Sequence, residues 1–416
     1  MTTKSAQVDL SDPRHFDQGI PHEHFESLRA QAGLTWNAME DGGDGFWSVT
    51  RYQEVVEVSR KPAIFSSALG HIQIYNIDAD ALDVRASMID MDPPAHARLR
   101  RLVARAFLPN TLQAHQHAIA ARINKTLEEL CAGGGGDWVR QVSKPIPIGV
   151  ICDILGVPAS DHELMIELTD HLVAGTSSLP LAPDAYGNTT PLRLLPFNSP
   201  AAHGLREYAD RLGAARRGQP AADLVTLLVN AEIEGEKLTA EEFSNFFRLL
   251  VFAGNETTRS AISHLALLME QQPQAFAILR EVPELIDTVV EEVVRLASPI
   301  LYFRRTATRD TTLAGTRIEA GQRVVMWYAS ANFDPRQFNK PRLLDPRRQR
   351  PRVHAGFGGG GIHICLGAWL ARLELKLLIS ELVRRRIRLT TTTPPIYVNS
   401  NFVNGIEKLQ VDVQTH

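Results

Sequence analysis

Along most of the chain apolar residues recur every three to four positions, and only short runs alternate. The pattern predicts a mainly α protein with a minor β part. Helices are expected over 53–59, 96–107, 112–131, 147–155, 239–271 and 285–296, and a last one along Leu366, Leu370, Leu373, Leu377 and Leu382. Short strands are expected at 46–50, 311–313 and 323–327, the last two around a turn at Ala320-Gly321. The segment up to Asn37 is polar and mixed, and 65–90 shows little helical period. The proline-rich segment 177–200 has no period and reads either as an ordered lid or as a disordered insertion. No repeat, charge block or Gly/Ser linker divides the chain. The expectation is one large helical domain over 1–416 with a small β-rich lobe from about 30–75 and 300–330.

The helical pattern is violated inside its longest apolar segment by Ala253-Gly254-Asn255-Glu256-Thr257-Thr258. A glycine there costs about 1 kcal/mol against alanine. A threonine can bond its hydroxyl back to a carbonyl one turn earlier and bend or open the helix. Glu256 beside Thr257 offers an acid and a hydroxyl able to relay protons. The competing reading is a kink filled by buried water, with Glu256 merely paired.

The second violation is Gly356-Phe357-Gly358-Gly359-Gly360-Gly361-Ile362-His363-Ile364-Cys365-Leu366-Gly367, a glycine-rich loop ending in one cysteine at the mouth of the last helix. Unpaired N–H groups and the helix dipole at that position favour a thiolate, the metal-binding form. The glycines leave room for a flat group against the backbone. Gly356, Gly358 and Gly361 also fit a dinucleotide-binding spacing, but the basic, proline-broken lead-in 348–354 is not the strand that motif needs. A zinc site on His363 and Cys365 lacks further ligands, since Cys131 and Cys152 lie more than 200 residues away. A merely structural thiol stays open at this point.

Composition narrows the class rather than the chemistry. Of 416 residues 44% are apolar and the net charge is −3, which suits a large soluble core and gives no reason to expect nucleic acid. Three cysteines do not suggest a disulfide framework. No stretch reaches the eighteen apolar residues of a membrane span, and residues 1–20 hold no apolar run, so a cytoplasmic protein without a transmembrane segment is expected.

In order along the chain these motifs resemble the cytochrome P450 family of haem-thiolate monooxygenases. The resemblance implies the P450 fold and haem b, iron protoporphyrin IX, ligated through Cys365. His363, His96, Arg100 and Arg305 match propionate contacts, with Arg304 the neighbouring alternative to Arg305. Phe357, Gly367 and Ala253 match positions that border the cofactor. Thr257 and Glu256 match the oxygen-activating alcohol and acid. Glu292 and Arg295 match the family's core ion pair, with Arg348 as its third partner. Phe357 stands eight residues before Cys365 where seven is usual, Phe333 replaces an arginine, and Leu344 a phenylalanine. The longer loop looks like that of bacterial members oxidising sterol side chains and branched-chain lipids, and 291–299, 330–332 and 400–406 point the same way.

The implied reaction uses O2 and two externally supplied electrons to hydroxylate a hydrophobic substrate, such as a steroid, terpenoid or branched-chain lipid. Electrons are expected from NAD(P)H through separate proteins, a ferredoxin and a ferredoxin reductase. Ile72, Ile74, Leu249, Ala253, Ile300, Leu301 and Phe402 are expected to wall the substrate pocket. Arg98, Arg101, Arg105 and Arg352 form either a basic face for an acidic ferredoxin or a solvated surface without function. A peroxide-driven haem-thiolate enzyme and a haem-binding sensor without turnover stay open as alternatives.

Overall fold

The fold is organised around one helix whose start is fixed by two reciprocal bonds. Thr239 Oγ1 accepts from the Glu242 amide at 3.1 Å, and the Glu242 carboxylate accepts from the Thr239 amide at 2.9 Å. From this capping box the helix Ala240–Gln271 runs for 32 residues. Apolar side chains leave nearly its whole circumference, because it packs against Pro145–Leu155, Pro200–Arg216 and Ile286–Ala297 at once. The expected break at 253–258 does not open it: the helix is continuous there. Thr257 bonds back to a carbonyl one turn earlier without disrupting the ladder. Gly254 lies against the Pro145–Leu155 helix, where a Cβ would come within 3.3 Å of Ile151.

The computed structural model describes residues 9–39, 44–75, 87–104, 107–174, 200–220 and 223–415. The segment 177–199 and Arg105 lie outside the described residues.

Five strands form one sheet in the order Thr35–Asn37, Phe46–Val49, Arg323–Trp327, Tyr302–Ala307, Phe65–Ser66. All neighbours are antiparallel except the pair of Phe46–Val49 with Arg323–Trp327. Thr311–Leu313 does not pair with Arg323–Trp327 across Ala320-Gly321, as the sequence pattern suggested. It pairs with Thr316–Ile318 across Ala314-Gly315. A second sheet joins Ile387–Thr391, Gln410–Thr415 and Gly135–Asp137. No local pattern announced it, since Gly135–Asp137 comes from a segment far along the chain from the other two strands.

The helix Ile286–Ala297 carries the ion-pair motif inward. Arg295 and Glu292 are both fully buried, joined at 2.6 and 2.9 Å, and Arg348 Nε lies 2.7 Å from the same carboxylate. Arg295 also donates to the carbonyls of Asn332, Pro341 and Leu343. Burial would raise the Glu292 pKa, but bonds from Arg295 and the Asp345 amide bring it below the ordinary value. The three residues thus tie the end of this helix to the loop that leads to Cys365.

Candidate functional site

The glycine loop is shaped by a neighbouring helix. Gly358 and Gly361 have φ of +97° and +73°, and a Cβ on Gly361 would sit 2.2 Å from the Ser59 carbonyl oxygen at the end of Tyr52–Arg60. The loop closes where the Cys365 amide donates to the Phe357 carbonyl at 3.0 Å. Three residues later the helix Ala368–Arg384 begins, with Gly367 as its N-cap. The Phe357 ring carries Arg372 at 4.4 Å from its centroid, and Arg372 donates to Glu291 at 2.6 Å.

A cavity of about 210 Å³, partly open to solvent, joins this loop to the long helix. Cys365, Phe357 and Gly367 border it from the loop, and Ala253, Gly254 and Thr257 from the helix. Cys365 is surrounded by protein yet exposes its surface to this cavity. Burial pushes its thiol up, and the Gly367 and Ala368 amides, Arg100 and Arg372 act the other way without overcoming it. The thiolate expected from the helix terminus alone is therefore not what the protein favours by itself. A coordinated metal deprotonates such a thiol outright.

At one edge of the cavity cations gather. His96 and His363 have ring centroids 4.3 Å apart, and Arg100 donates to the Ile364 carbonyl at 2.7 Å. Arg305 lies just behind the wall, fully enclosed, with Nη1 donating to the Arg304 carbonyl at 2.8 Å. Burial, with Arg100 and Arg305 nearby, holds His96 down at about 4 and His363 at about 2. Arg304 turns elsewhere and donates to the carbonyls of Ile74 and Tyr75, both at 3.2 Å. This division assigns Arg305, not Arg304, to the cluster.

The cavity wall is otherwise mostly apolar. Ile72, Leu249, Ala253, Ile300 and Phe402 line it as expected. Ile74 and Leu301 do not: they lie in the core cluster of Tyr302 and Trp327, behind Ile72 and Phe402 of the same cluster. Residues 72–75 bend instead of running as a strand, so Ile72 and Ile74 do not share a face. Leu301 follows Ile300 in extended chain and points to the opposite side. Sequence reasoning missed Phe246, Phe303 and Tyr328 on the wall, and Ile151, which packs against Gly254 only in the folded chain.

The family model for cytochrome P450 matches residues 206–413. The steroid C26-monooxygenase of Rhodococcus jostii is 35% identical, over 98% of this chain and 85% of that protein. The methyl-branched lipid omega-hydroxylase of Mycobacterium tuberculosis is 37% identical, over 95% and 91% respectively. The chain belongs to the cytochrome P450 family. Among solved structures, a cytochrome P450 of Mycobacterium marinum in complex with pseudoionone superposes with a TM-score of 0.85 at 35% identity, covering 97% of this chain and 98% of that one. A Bacillus megaterium structure in complex with testosterone gives 0.79 at 33% identity, covering 94% and 99%.

This P450 is accordingly a monooxygenase that uses a haem-iron cofactor, O2, redox partners and a hydrophobic substrate. Its residues fit the haem. A thiol faces an apolar slot, the loop lies flat over Ser59, and one edge gathers two guanidinium groups and two neutral imidazoles suited to two carboxylates.

Glu256 does not line the cavity of this P450. It is 1% exposed, and its Oε2 accepts from Arg259 Nη1 at 3.2 Å. Arg259 lies 3.5 Å from Asp170, which receives Lys144 at 2.8 Å nearer the surface. Burial pushes the Glu256 carboxyl up against the pull of Arg259.

Of the residues expected to form a basic docking face, Arg98, Arg101 and Arg352 are described, and each meets a carboxylate. Arg98 pairs with Glu242 at 2.6 Å, and Arg101 with Glu236 at 3.0 Å. Arg352 is largely exposed but sits 3.4 Å from Glu291 and over the Trp369 ring. Among the described residues, no helix is long and apolar enough to cross a membrane.

Proposed function

We propose that this P450 hydroxylates the branched aliphatic end of a steroid side chain or of a methyl-branched lipid. The observation that carries the reading is the apolar wall of Ile72, Leu249, Phe246, Ile300, Phe303 and Phe402 around the cavity that Thr257 and Cys365 border. Relatives named for a steroid C26 position and for methyl-branched lipids support it. The Mycobacterium marinum enzyme holding pseudoionone keeps acyclic terpenoids within the same class of shapes.

Haem bound through Cys365 supplies reductive activation of O2 and insertion of one oxygen atom into a C–H bond. His96, Arg100, Arg305 and His363 would hold its two carboxylates, and Phe357 and Gly367 would border it on the cysteine side. Thr257 presents a hydroxyl to the cavity from a fixed bond to the Ala253 carbonyl. Glu256, kept protonatable by burial, is the acid that would feed protons toward that hydroxyl, while Arg259, paired with Asp170, holds its carboxyl in place. The apolar wall excludes water and orients an aliphatic chain end. Electrons come from NAD(P)H through a ferredoxin reductase and a ferredoxin in the cytoplasm. The helical acid and alcohol favour O2 over peroxide as the oxidant.

A binding screen tests the substrate class. Absorbance titrations would compare a steroid with an intact branched side chain, a methyl-branched fatty acid, a linear acid of equal length and a steroid lacking the side chain. The first two are expected to bind at least tenfold more tightly than the last two. Equal affinity across the four overturns the proposal.

A further inference from the structure

A second cavity, of about 320 Å³ and partly open to solvent, lies against the last turns of the long helix. It shares no lining residue with the haem cavity. Its volume is at the lower end for small-molecule sites, which begin at about 300 Å³. Leu267, Leu268, Leu296 and Phe333 give it an apolar side, each less than a tenth exposed. The Phe333 ring meets His22 edge-on, with centroids 4.4 Å apart.

The polar side carries no free charge. Arg342 is the one lining residue with a permanent charge, and Glu26 takes it up at 2.7 Å. Burial holds His22 and His264 down at about 4, Arg342 acting the same way on His22, so both imidazoles are neutral near neutral pH. One acceptor is left over. His264 Nδ1 faces the Ser260 carbonyl at 2.9 Å and so carries the proton, which leaves Nε2 to accept from Asn404 Nδ2 at 3.2 Å. The same nitrogen donates to the Ala297 carbonyl at 2.6 Å. Both N–H groups of Asn404 are thus used, whereas its Oδ1 accepts from no donor among the described residues. Asn404 lines the cavity and is only 5% exposed, so this oxygen needs a donor from an occupant.

Asn404 also belongs to the loop that walls the haem cavity. Its carbonyl accepts from Ser260 Oγ at 2.6 Å, and its amide donates to the Pro299 carbonyl at 3.0 Å. Two residues earlier Phe402 stacks on Phe303, with centroids 6.0 Å apart, and both rings border the haem cavity. A ligand bonded to Asn404 therefore acts on the short loop that places Phe402.

We propose that this second cavity is an effector site for a small uncharged alcohol or phenol. The hydroxyl donates to Asn404 Oδ1, the carbon frame lies against Phe333 and Leu267, and occupation tightens binding in the haem cavity by fixing Phe402. The coupling is reciprocal, so a ligand of the haem cavity tightens binding of the effector by the same factor.

The probe is 2-naphthol, added to the haem-loaded full chain with the haem cavity filled by clotrimazole, and its binding is read from fluorescence quenching. Filling the haem cavity with an azole makes the outcome independent of which lipid is the substrate. Saturable binding is expected, at least tenfold tighter than that of 2-methoxynaphthalene, which has no hydroxyl to donate. Gln271→Trp, which plugs the mouth from an exposed position on the helix, should weaken naphthol at least tenfold. Asn404→Ala should abolish the preference for naphthol over its methyl ether. Clotrimazole titrated with 2-naphthol present should bind about fivefold more tightly to the wild type, with no change in Gln271→Trp. No saturable naphthol binding beside the azole, equal affinity for the methyl ether, unchanged naphthol binding in Gln271→Trp, or azole affinity that naphthol leaves unchanged or weakens overturns the proposal.

Discussion

Thr257 donates its side-chain hydroxyl to the Ala253 carbonyl, one turn earlier on the long helix, at 2.7 Å. The bond fixes the hydroxyl at the cavity wall beside Gly254 without breaking the helix. Thr257→Ala removes the only hydroxyl held this way by the 253–258 segment among the described residues. We expect peroxide release per NAD(P)H to rise severalfold while substrate affinity stays within about fivefold, because one lost neutral hydrogen bond is worth only about 1 kcal/mol. Thr257→Ser should restore coupling. Unchanged coupling in the alanine variant would remove Thr257 from the proposed proton path.

Arg305 and Arg304 are adjacent but serve different surroundings. Arg305→Ala should lower haem retention, read as the haem-to-protein ratio after purification and as haem transfer to a scavenger protein. Arg304→Ala should leave that ratio near wild type and weaken substrate binding, since its guanidinium holds the Ile74 and Tyr75 carbonyls next to Ile72. The opposite pattern would show that the cluster has been assigned to the wrong arginine.

Arg295 and Glu292 are both 0% exposed, so neither can be solvated once its partner is gone. Arg295→Ala should cost about 3–5 kcal/mol, the usual penalty for leaving one buried charge unpaired. Denaturant midpoints of the haem-loaded protein check this. A loss below 1 kcal/mol would mean that the triad contributes little to holding the Cys365 loop.

Glu291 gives the account a pH dependence. Burial would raise its carboxyl, but His354 at 2.9 Å and Arg372 at 2.6 Å hold it down at about 2, against an ordinary 4.5. The folded pKa is depressed, so its stabilisation is fully present above pH 4.5 and is lost as pH falls toward 2. The contribution is on the order of 3 kcal/mol. Acid unfolding of Glu291→Gln should therefore be less steep between pH 4.5 and 2 than that of the wild type. Superimposable acid transitions would contradict the shift.

Much of the site was legible because its motifs are local. The glycine loop ending in Cys365, the polar stretch in the long helix and the Glu292–Arg295 spacing each occupy one short segment, and the fold keeps each intact. What depended on distant segments was not legible. Arg98 and Arg101 read as free cations until Glu242 and Glu236 came to meet them. Ile74 and Leu301 had the right composition, but side-chain direction in bent or extended chain is set by backbone geometry that composition does not encode.

The most direct test of the proposed function is turnover under ¹⁸O2 with a generic ferredoxin system, using a steroid with a branched side chain and a methyl-branched fatty acid as substrates. The account predicts a mono-hydroxylated product at the branched chain end, carrying one labelled oxygen atom, with Thr257→Ala yielding less product per electron. A hydroxyl whose oxygen derives from added peroxide, or no product despite a binding-induced absorbance shift, would contradict it.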